Sequence, residues 1–532
     1  MLDLILKNAV VYDGTGAPPF HGNIGIAQGK IAVLSQQPIA EEAKEIVDLG
    51  GLAAAPGFID FHSHSDTTFL PDSRCQSKLF QGITSEVTGQ CGYTVYPCKP
   101  EKLELMKEFS SVSSKWDSYV STSMAQFIEK AKSENRQMAT NQLQMVGHGA
   151  LRAGVMGFEG RKATAEELAD MAALLDKEMA DGAWGMTLGL GYAPGVFADQ
   201  EELNAMGEVI AKYDGIIASH MRNQGAEIIA ALEEMYEINR KTGAKVHISH
   251  LKASGKEQWG WAPKIWEYIE QAQKNGIAVT ADMYPYTAAA TGITNILPKW
   301  TLEGGVAAAA ARLASEQRGQ ILAELDHRFA EKEDGEAIYV VTTYGLCPEA
   351  DGKNIYEMSQ IWNCTMSEAA ARLMVETKGS ADCIFFCMSE EDVLYFLRQE
   401  VTIGTDGCGM PLSKEENEGR PHPRHFATFP RFFRLVREEK LCTLEHAVYR
   451  ATGLPAQIIG LQDRGLLKEG MVADITVFDP DTIADKATYE NPFQKAEGIE
   501  YVLLAGHPQR RTDREASGSI FAKKSVGRMD RR

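Results

Sequence analysis

The middle of the chain repeats one pattern: a short apolar run, a polar residue at its end, and then a stretch of helical periodicity. We predict a strand in each apolar run and a helix after most of them, for example over residues 227–242 and 262–275. Eight runs carry the pattern, at residues 58–64, 84–91, 144–149, 185–190, 216–220, 246–250, 279–284 and 402–406. Eight strand–helix units predict a (β/α)8 TIM-like barrel, an α/β fold whose active site lies at the carboxyl ends of the strands. An open doubly wound sheet is the competing fold, but it would need a glycine-rich phosphate loop where the chain has His62 and His64.

The two ends of the chain carry a different pattern, of short strands separated by turn residues. Residues 2–11 and 24–34 have it near the amino terminus, and residues 473–478 and 501–506 near the carboxyl terminus. We predict a small β-sandwich domain built from both termini, residues 1–56 and 461–532, with the barrel over residues 57–460. The basic stretch 510–532 is expected to be a loosely ordered tail.

The segment between the seventh and eighth predicted strands is too long for a single helix. It contains helical stretches at residues 306–314 and 317–332 and a strand-like run at 337–342. We therefore predict an inserted, lid-like subdomain over residues 288–344, near the mouth of the barrel.

Composition narrows the possible partners and the location. With 532 residues the chain is long enough for at least two domains, and its formal net charge of -19 would repel the phosphates of nucleic acid. No apolar run approaches the ~20 residues that span a bilayer, so we expect no membrane partner. The nine cysteines are scattered without a CxxC pair, which is typical of a reducing compartment. We therefore expect a cytoplasmic location.

Residues that commonly bind metals stand at the predicted strand ends. His62 and His64 are two positions apart, so on a strand their side chains point the same way and form half of a site for a divalent metal. Four further ligand types end other predicted strands: Cys91, His220, His250 and Asp406. Each of them alone is more typical of a buried structural residue. Ligand types on five converging strand ends are hard to explain by packing, and they indicate a metal site.

Several motifs resemble one family. The run PGFIDFHSHSD at residues 56–66 resembles the first-strand signature of the amidohydrolase superfamily. Five more runs resemble its N-acyl-D-amino-acid deacylase, or D-aminoacylase, branch: GITSEVTGQCG (82–92), SHMR (219–222), SHLKASG (249–255), DMYPYTA (282–288) and HPRHFATFPR (422–431). The resemblance covers nearly the whole chain. It implies hydrolysis of N-acyl-D-amino acids, and a fold with a barrel, a β-sandwich from both termini and an insertion after strand seven.

The resemblance also assigns roles to the metal-binding candidates. It implies that Cys91, His220 and His250 bind a tight zinc ion, a metal suited to thiolate and imidazole ligands. It implies that the remaining three candidates face a second, weaker position, with Cys91 as a possible bridge: His62, His64 and Asp406. Related hydantoinases use a carboxylated lysine from strand four as the bridge, but this chain has no lysine over residues 184–192. That departure favours the deacylase branch.

The resemblance implies, in addition, how the substrate is held. Asp406 is expected to be the general base and acid, and positioning of a metal ligand is its alternative role. Lys252, Tyr284 and Arg424 are expected to bind the α-carboxylate of the substrate. Gly292 stands where relatives that act on D-glutamate carry an arginine, so neutral or apolar side chains are favoured.

Two further polar residues are candidates for substrate contact. His148 ends the third predicted strand, and Arg222 follows His220 closely; a structural hydrogen bond is the alternative for His148. Two other functions stay open: another amidohydrolase activity, on a cyclic amide or a D-residue dipeptide, and a non-catalytic scaffold that has lost its metals. The oligomeric state is not determined by the sequence.

Overall fold

The computed structural model describes residues 1–68, 74–110, 119–133 and 139–508, and the predicted basic tail lies outside the described residues. The strands are β1 (Leu2–Val11), β2 (Phe20–Ala27), β3 (Lys30–Ser35), β4 (Ala43–Asp48), β5 (Ala53–Pro56), β6 (Phe58–Asp60), β7 (Ile83–Thr88), β8 (Asn141–Gln144), β9 (Val146–Gly147), β10 (Gly185–Gly189), β11 (Ile216–His220), β12 (Lys245–Ile248), β13 (Val279–Met283), β14 (Ala288–Gly292), β15 (Ile338–Thr342), β16 (Asp382–Phe386), β17 (Thr402–Ile403), β18 (Ile475–Phe478), β19 (Ile499–Leu504) and β20 (His507–Pro508).

The helices alternate with the strands through the middle of the chain. They are α1 (Gln76–Leu79), α2 (Leu103–Ser110), α3 (Met124–Ser133), α4 (His148–Met156), α5 (Ala165–Ala180), α6 (Gln200–Lys212), α7 (Ile228–Thr242), α8 (Ala262–Lys274), α9 (Gly305–Leu313), α10 (Arg318–Arg328), α11 (Lys332–Glu336), α12 (Ile355–Trp362), α13 (Met366–Glu376), α14 (Glu390–Leu397), α15 (Arg424–Glu439), α16 (Leu444–Ala451) and α17 (Gly453–Ile459). None of the helices in the described part of the chain has the length and apolar composition that crossing a membrane requires.

The strands predicted in the middle of the chain pair in parallel. Six of them form a sheet in the order β17-β13-β12-β11-β10-β9, and β6, β7 and β8 form a second run in that order. The residues of these strands are almost all buried, as expected where helices cover a parallel sheet. Because parallel strands end at the same edge, the polar residues after β6, β7, β11, β12 and β17 are brought together there.

The two ends of the chain meet in one eight-stranded sheet. Its order is β20-β19-β18-β5-β1-β2-β3, with β4 beside β1. The single strand predicted over residues 24–34 is wrong: Gln28 and Gly29 both have positive φ, of 52° and 75°, and turn the chain between β2 and β3. Positive φ at two consecutive positions is the geometry of a tight hairpin turn.

The insertion between β13 and β17 is larger than predicted. Strands β14, β15 and β16 form an antiparallel sheet in which β16 lies in the centre, so the subdomain extends to Phe386 instead of ending at residue 344. Its own apolar core includes Ile338, Val340, Cys383 and Phe385. Strand β14 starts at Ala288, four residues beyond Tyr284, which places the insertion next to the carboxyl ends of the parallel strands.

Candidate metal centre

The first group of candidate ligands gathers at the ends of β6, β7 and β17. It comprises His62, His64, Cys91 and Asp406, whose possible ligand atoms all lie within 4.8 Å of one another. The Oδ1 atom of Asp406 lies 3.1 Å from His64 Nε2 and 3.5 Å from His62 Nε2. The Sγ atom of Cys91 lies 3.4 Å from His62 Nε2. Both predicted imidazoles of the first strand therefore face one point.

The second group adds two histidines from neighbouring strands. His220 ends β11, His250 follows β12, and their ligand atoms lie within 4.8 Å of each other and of Cys91. His220 Nδ1 and His250 Nε2 are 3.0 Å apart, and Cys91 Sγ is 3.6 Å from His250 Nε2. All six predicted ligands thus lie in two groups, and Cys91 is the member they share.

Three of these residues have a left-handed backbone. Cys91, His250 and Asp406 have φ of 56°, 38° and 48°, in a region that residues other than glycine rarely adopt. Each stands shortly after a parallel strand, and its side chain belongs to the ligand groups. Strained residues of this kind persist when the surrounding structure holds them, and they concentrate at functional sites.

The charges of the cluster stabilise one another. Burial alone would raise the pKa of Cys91, but the charge of His62 and hydrogen bonds from three imidazoles hold that pKa well below its ordinary value. Burial lowers the pKa of His62, yet the carboxylate of Asp282 and the thiolate of Cys91 outweigh it and raise that pKa well above its usual range. A thiolate among converging imidazoles, almost closed to water, has the donor chemistry that a divalent metal requires.

Two cations stand beside the metal-binding groups. Arg424 Nη1 lies 2.8 Å from Asp406 Oδ2, and its guanidinium carbon lies 5.2 Å from the centre of the Tyr284 ring. Lys252 Nζ lies 5.5 Å from the same ring. Lys252 is 5% exposed, its pKa is lowered by burial, and no carboxylate of the described residues lies within ion-pair distance of it. A buried ammonium without a counter-ion, next to an arginine, provides a place for an anionic group.

The remaining candidates are held by structural partners. His148 Nε2 lies 2.6 Å from Glu202 Oε1, deep in the core. Arg222 forms an ion pair of 2.7 Å with Glu234 and donates hydrogen bonds to the carbonyl oxygens of Val196 and Ala198. The Nδ1 atom of His148 has no hydrogen-bond partner among the described residues. Substrate contact at these two residues stays a prediction.

The threonine after the small residues of β14 also has a partner. Thr291 Oγ1 donates to Tyr192 Oη over 3.1 Å, and the Tyr192 ring lies 4.4 Å from the ring of His220. This chain of contacts joins the insertion to a metal-binding residue. The neighbouring Gly292 brings no charge to this part of the mouth.

Two residues that the sequence did not single out touch the cluster directly. Asp282 lies at the end of β13 and contacts both His62 and the backbone of His250. Gln224 Nε2 lies 3.0 Å from His250 Nδ1. Asp282 belongs to the same motif as Tyr284, two positions away, and this alternation along a strand was the one available signal for it.

A fully buried lysine lies beneath the cluster. Lys78 donates to Asp60 Oδ2, Thr405 Oγ1 and the carbonyl oxygen of Gly407, over 2.7, 2.6 and 2.9 Å, and lies 3.3 Å from Glu86. These contacts join the first and last parallel strands on either side of Asp406. No sequence motif pointed to Lys78, because its partners are up to 329 positions away along the chain.

Replacing Lys78 with methionine is expected to lower the free energy of unfolding by about 3–5 kcal/mol. The substitution removes the cation and leaves two carboxylates, Asp60 and Glu86, buried without compensation. Chemical denaturation of the metal-free protein measures the change. The control is Lys107→Met, which removes a partly exposed pair with Glu104 and should cost at most about 1 kcal/mol. Equal stability of the two variants would contradict the prediction.

Comparison with known proteins identifies relatives over almost the full chain. The amidohydrolase family model matches residues 45–317 and 417–508. D-aminoacylase from Alcaligenes xylosoxydans xylosoxydans is 34% identical, with 95% of this chain and 94% of that protein aligned. N-acyl-D-glutamate deacylase from the same organism is 32% identical, with 95% and 93% aligned.

A solved structure has the same fold along its whole length. It is N-acyl-D-glutamate deacylase from Bordetella bronchiseptica, in complex with zinc and a phosphonate inhibitor that mimics the tetrahedral intermediate of the reaction. It superposes with a TM-score of 0.81 at 30% sequence identity, covering 98% of this chain and 99% of its own. The similarity therefore includes both the terminal sheet and the insertion.

Proposed function

Since this chain belongs to the amidohydrolase family, and within it to the N-acyl-D-amino-acid deacylase branch, we propose that it hydrolyses the amide bond of N-acyl-D-amino acids. The resemblance found in the sequence motifs is thereby confirmed. The observation that carries the proposal is the juxtaposition of two candidate metal-binding groups, joined by Cys91, with two buried cations. Arg424 pairs with Asp406, whereas Lys252 has no carboxylate of the described residues within ion-pair distance. The products would be a carboxylate and a free D-amino acid.

Zinc is the metal we propose. Cys91, His220 and His250 would hold the tight ion, since a thiolate and two imidazoles suit zinc better than magnesium or manganese. The other three candidates, with Cys91 as a shared ligand, would hold a weaker second ion. The zinc-bound relative supports this choice of metal. When bound, zinc supplies Lewis-acid polarisation of the amide carbonyl and lowers the pKa of water to about 7.

Asp406 is the group we propose for proton transfer. Its Oδ1 atom faces His62 and His64, inside the ligand cluster where water would attack the amide. Burial would raise the pKa of Asp406, but Arg424 and His62 hold it well below its ordinary value, which keeps the side chain in the ionised form that a proton acceptor requires. It would take one proton from the attacking water and deliver it to the departing nitrogen.

The carboxylate of the substrate would be bound by Lys252, Arg424 and Tyr284. Lys252 Nζ and the guanidinium carbon of Arg424 lie 5.5 and 5.2 Å from the centre of the Tyr284 ring, which supports their acting on one anion. On the side of the insertion, Ala290 and Gly292 present neither charge nor hydrogen-bonding side chains. We therefore propose a preference for neutral or apolar D-side chains.

The parallel strands are proposed to close into the (β/α)8 barrel. The amide of Phe61 donates to the carbonyl of Ile403 over 3.2 Å, and Ser63 and Gly407 form a parallel bridge, which supports contact between the first and last strands. The backbone N–H of Trp184 donates to the backbone carbonyl of Gln144 over 3.0 Å, which supports contact between the third and fourth predicted strands. The position of the terminal sheet beside the barrel as a β-sandwich domain stays a prediction.

A substrate panel tests the proposed function. The purified protein should hydrolyse N-acetyl-D-leucine faster than N-acetyl-D-glutamate, leave N-acetyl-L-leucine and hydantoin intact, and lose activity to a chelator until zinc is restored. Release of amino acid is measured for each compound. Turnover of the L-form alone would overturn the stereochemical proposal. Opening of the hydantoin ring without cleavage of linear amides would place the enzyme among the cyclic amidohydrolases instead, and inactivity with no bound zinc would favour a scaffold.

A further inference from the structure

A single carboxylate, that of Asp282, contacts three histidines around the metal-binding cluster. Asp282 is the penultimate residue of β13 and is 1% exposed. Its Oδ2 atom lies 2.9 Å from His247 Nε2 and 3.3 Å from His62 Nδ1. Its Oδ1 atom accepts a hydrogen bond from the backbone N–H of His250 over 2.7 Å. Both oxygens are therefore occupied, and each is used by a different part of the cluster.

The contacts at Oδ2 decide where the imidazole protons lie. A carboxylate can only accept, so His62 must carry a proton on Nδ1 and His247 must carry one on Nε2. The other nitrogen of His247 is 2.7 Å from Thr280 Oγ1, and the hydroxyl can donate to it. In the neutral form of His62, which is the form that binds a metal, this proton stays on Nδ1 and the Nε2 lone pair faces Cys91 Sγ, 3.4 Å away.

The contact at Oδ1 acts on the other metal-binding group. His250 has a left-handed backbone with φ of 38°, and its N–H is fixed by Asp282 rather than by a neighbouring strand. This conformation brings His250 Nε2 to 3.0 Å from His220 Nδ1. Asp282 therefore supports one ligand of each group from a single side chain.

We propose that Asp282 is a positioning residue that fixes the tautomer of His62 and the backbone turn at His250, so that both groups are able to bind a cation. The inference rests on the proposed function, since it takes the cluster to be a metal centre. Residues that hydrogen-bond to a metal ligand without binding the metal themselves commonly lower metal affinity by about 10- to 100-fold when they are replaced.

Two substitutions at Asp282 separate the tautomer role from simple packing. In Asp282→Asn only one of the two side-chain positions is still an oxygen that can accept a hydrogen bond. The backbone N–H of His250 can only donate a hydrogen bond, so the side-chain oxygen stays at the position of Oδ1 to accept it. The amide NH2 then takes the position of Oδ2 and faces His62 Nδ1. His62 has to move its proton to Nε2, where the proton blocks metal binding. An exchange of aspartate for asparagine beside a catalytic histidine is known to leave geometry intact while it fixes the wrong tautomer. Asp282→Ala removes the acceptor without imposing either tautomer.

Zinc affinity is the first readout. The metal-free full-length proteins are titrated with zinc against a competing chelator, and bound zinc is counted by mass spectrometry. The weaker position should lose at least about 10-fold in affinity in Asp282→Asn, and Asp282→Ala should fall between this variant and the wild type. The control is Asp392→Asn, because Asp392 is equally buried and accepts backbone N–H groups of Gly260 and Ala262, away from the ligand cluster. It should bind zinc like the wild type.

The imidazole nitrogens are the second readout, and they need no metal. Nitrogen NMR of histidine-labelled, metal-free protein, recorded at a pH above the raised pKa of His62, should show the neutral His62 protonated on Nδ1 in the wild type and on Nε2 in Asp282→Asn, with the signal assigned by its loss in His62→Gln. Wild-type zinc affinity in Asp282→Asn, weaker binding by the alanine variant than by the asparagine variant, or an unchanged His62 tautomer would each overturn the proposal. Failure of the wild type to bind zinc would instead overturn the metal centre itself, and the NMR result would still decide the role of Asp282.

Discussion

Asp406→Asn is expected to lower kcat by about 10²- to 10⁴-fold, the range that positioned proton transfer contributes in enzymes. Asparagine has nearly the same shape and tolerates the left-handed backbone found at this position, where φ is 48°. It cannot, however, accept the proton of the attacking water or return it to the leaving nitrogen. Initial rates with N-acetyl-D-leucine at saturating zinc measure the effect.

A second aspartate with the same backbone serves as the control. Asp214 also has φ of 48°, but it lies on the surface in an ion pair with Lys245, so Asp214→Asn should keep full activity. The division between kcat and KM adds a further test. If Asp406 served only to orient Arg424, 2.8 Å away, the asparagine variant would raise KM and leave kcat nearly unchanged. That outcome, or an active variant, would refute the role in proton transfer.

Cys91→Ala is expected to abolish tight zinc binding and, with it, activity. Cys91 is the member that both metal-binding groups share, so the substitution takes one ligand from each. Loss of a partner that only supports a ligand already costs about 10- to 100-fold in affinity, and loss of the ligand itself should exceed 100-fold. Zinc retained after gel filtration measures tight binding. The rise in melting temperature on adding zinc is a second measure of binding, since a ligand that binds only the folded state stabilises it.

Cys98→Ala is the matched control for this prediction. Cys98 is also buried, at 1% exposure, but its Sγ contacts the carbonyl of Ser121 and no histidine. It should bind zinc and hydrolyse substrate like the wild type. Tight zinc binding by Cys91→Ala would show that His220 and His250 form the site without sulfur, and would contradict the shared-ligand arrangement.

The site residues that could be predicted are those that lie next to a recognisable strand in the sequence. A buried parallel strand is a short apolar run, and the polar residue that ends it is adjacent in sequence, so His62, His220 and His250 could be placed at one edge from eight repeated patterns. The same pattern indicated Cys91 and Asp406, and the motif resemblance added the proposed contacts to the substrate carboxylate. The family was found in this way, and relatives at 32–34% identity confirm it.

The unpredicted part depends on pairs distant along the chain. Lys78 has its partners on the first and last parallel strands, and only the folded structure shows that its charge is enclosed by them. The ion pair of Arg222 with Glu234 likewise joins residues whose pairing no sequence motif indicated. The end of the insertion was missed for the same reason: β16 is its central strand, yet it is separated from β15 by two helices. Burial and pairing are properties of the assembled molecule, and one local pattern cannot reveal them.

The sharing of Cys91 by both ligand groups has a consequence for the chemical durability of the enzyme. A single sulfur atom is common to two coordination sets, so its oxidation to a sulfenic or higher acid would disable both in one event. Its thiolate character favours such a reaction, while burial to 6% exposure restricts the access of oxidants. A bound cation would occupy the lone pair that an oxidant attacks, so occupancy by metal and resistance to oxidative damage should rise and fall together.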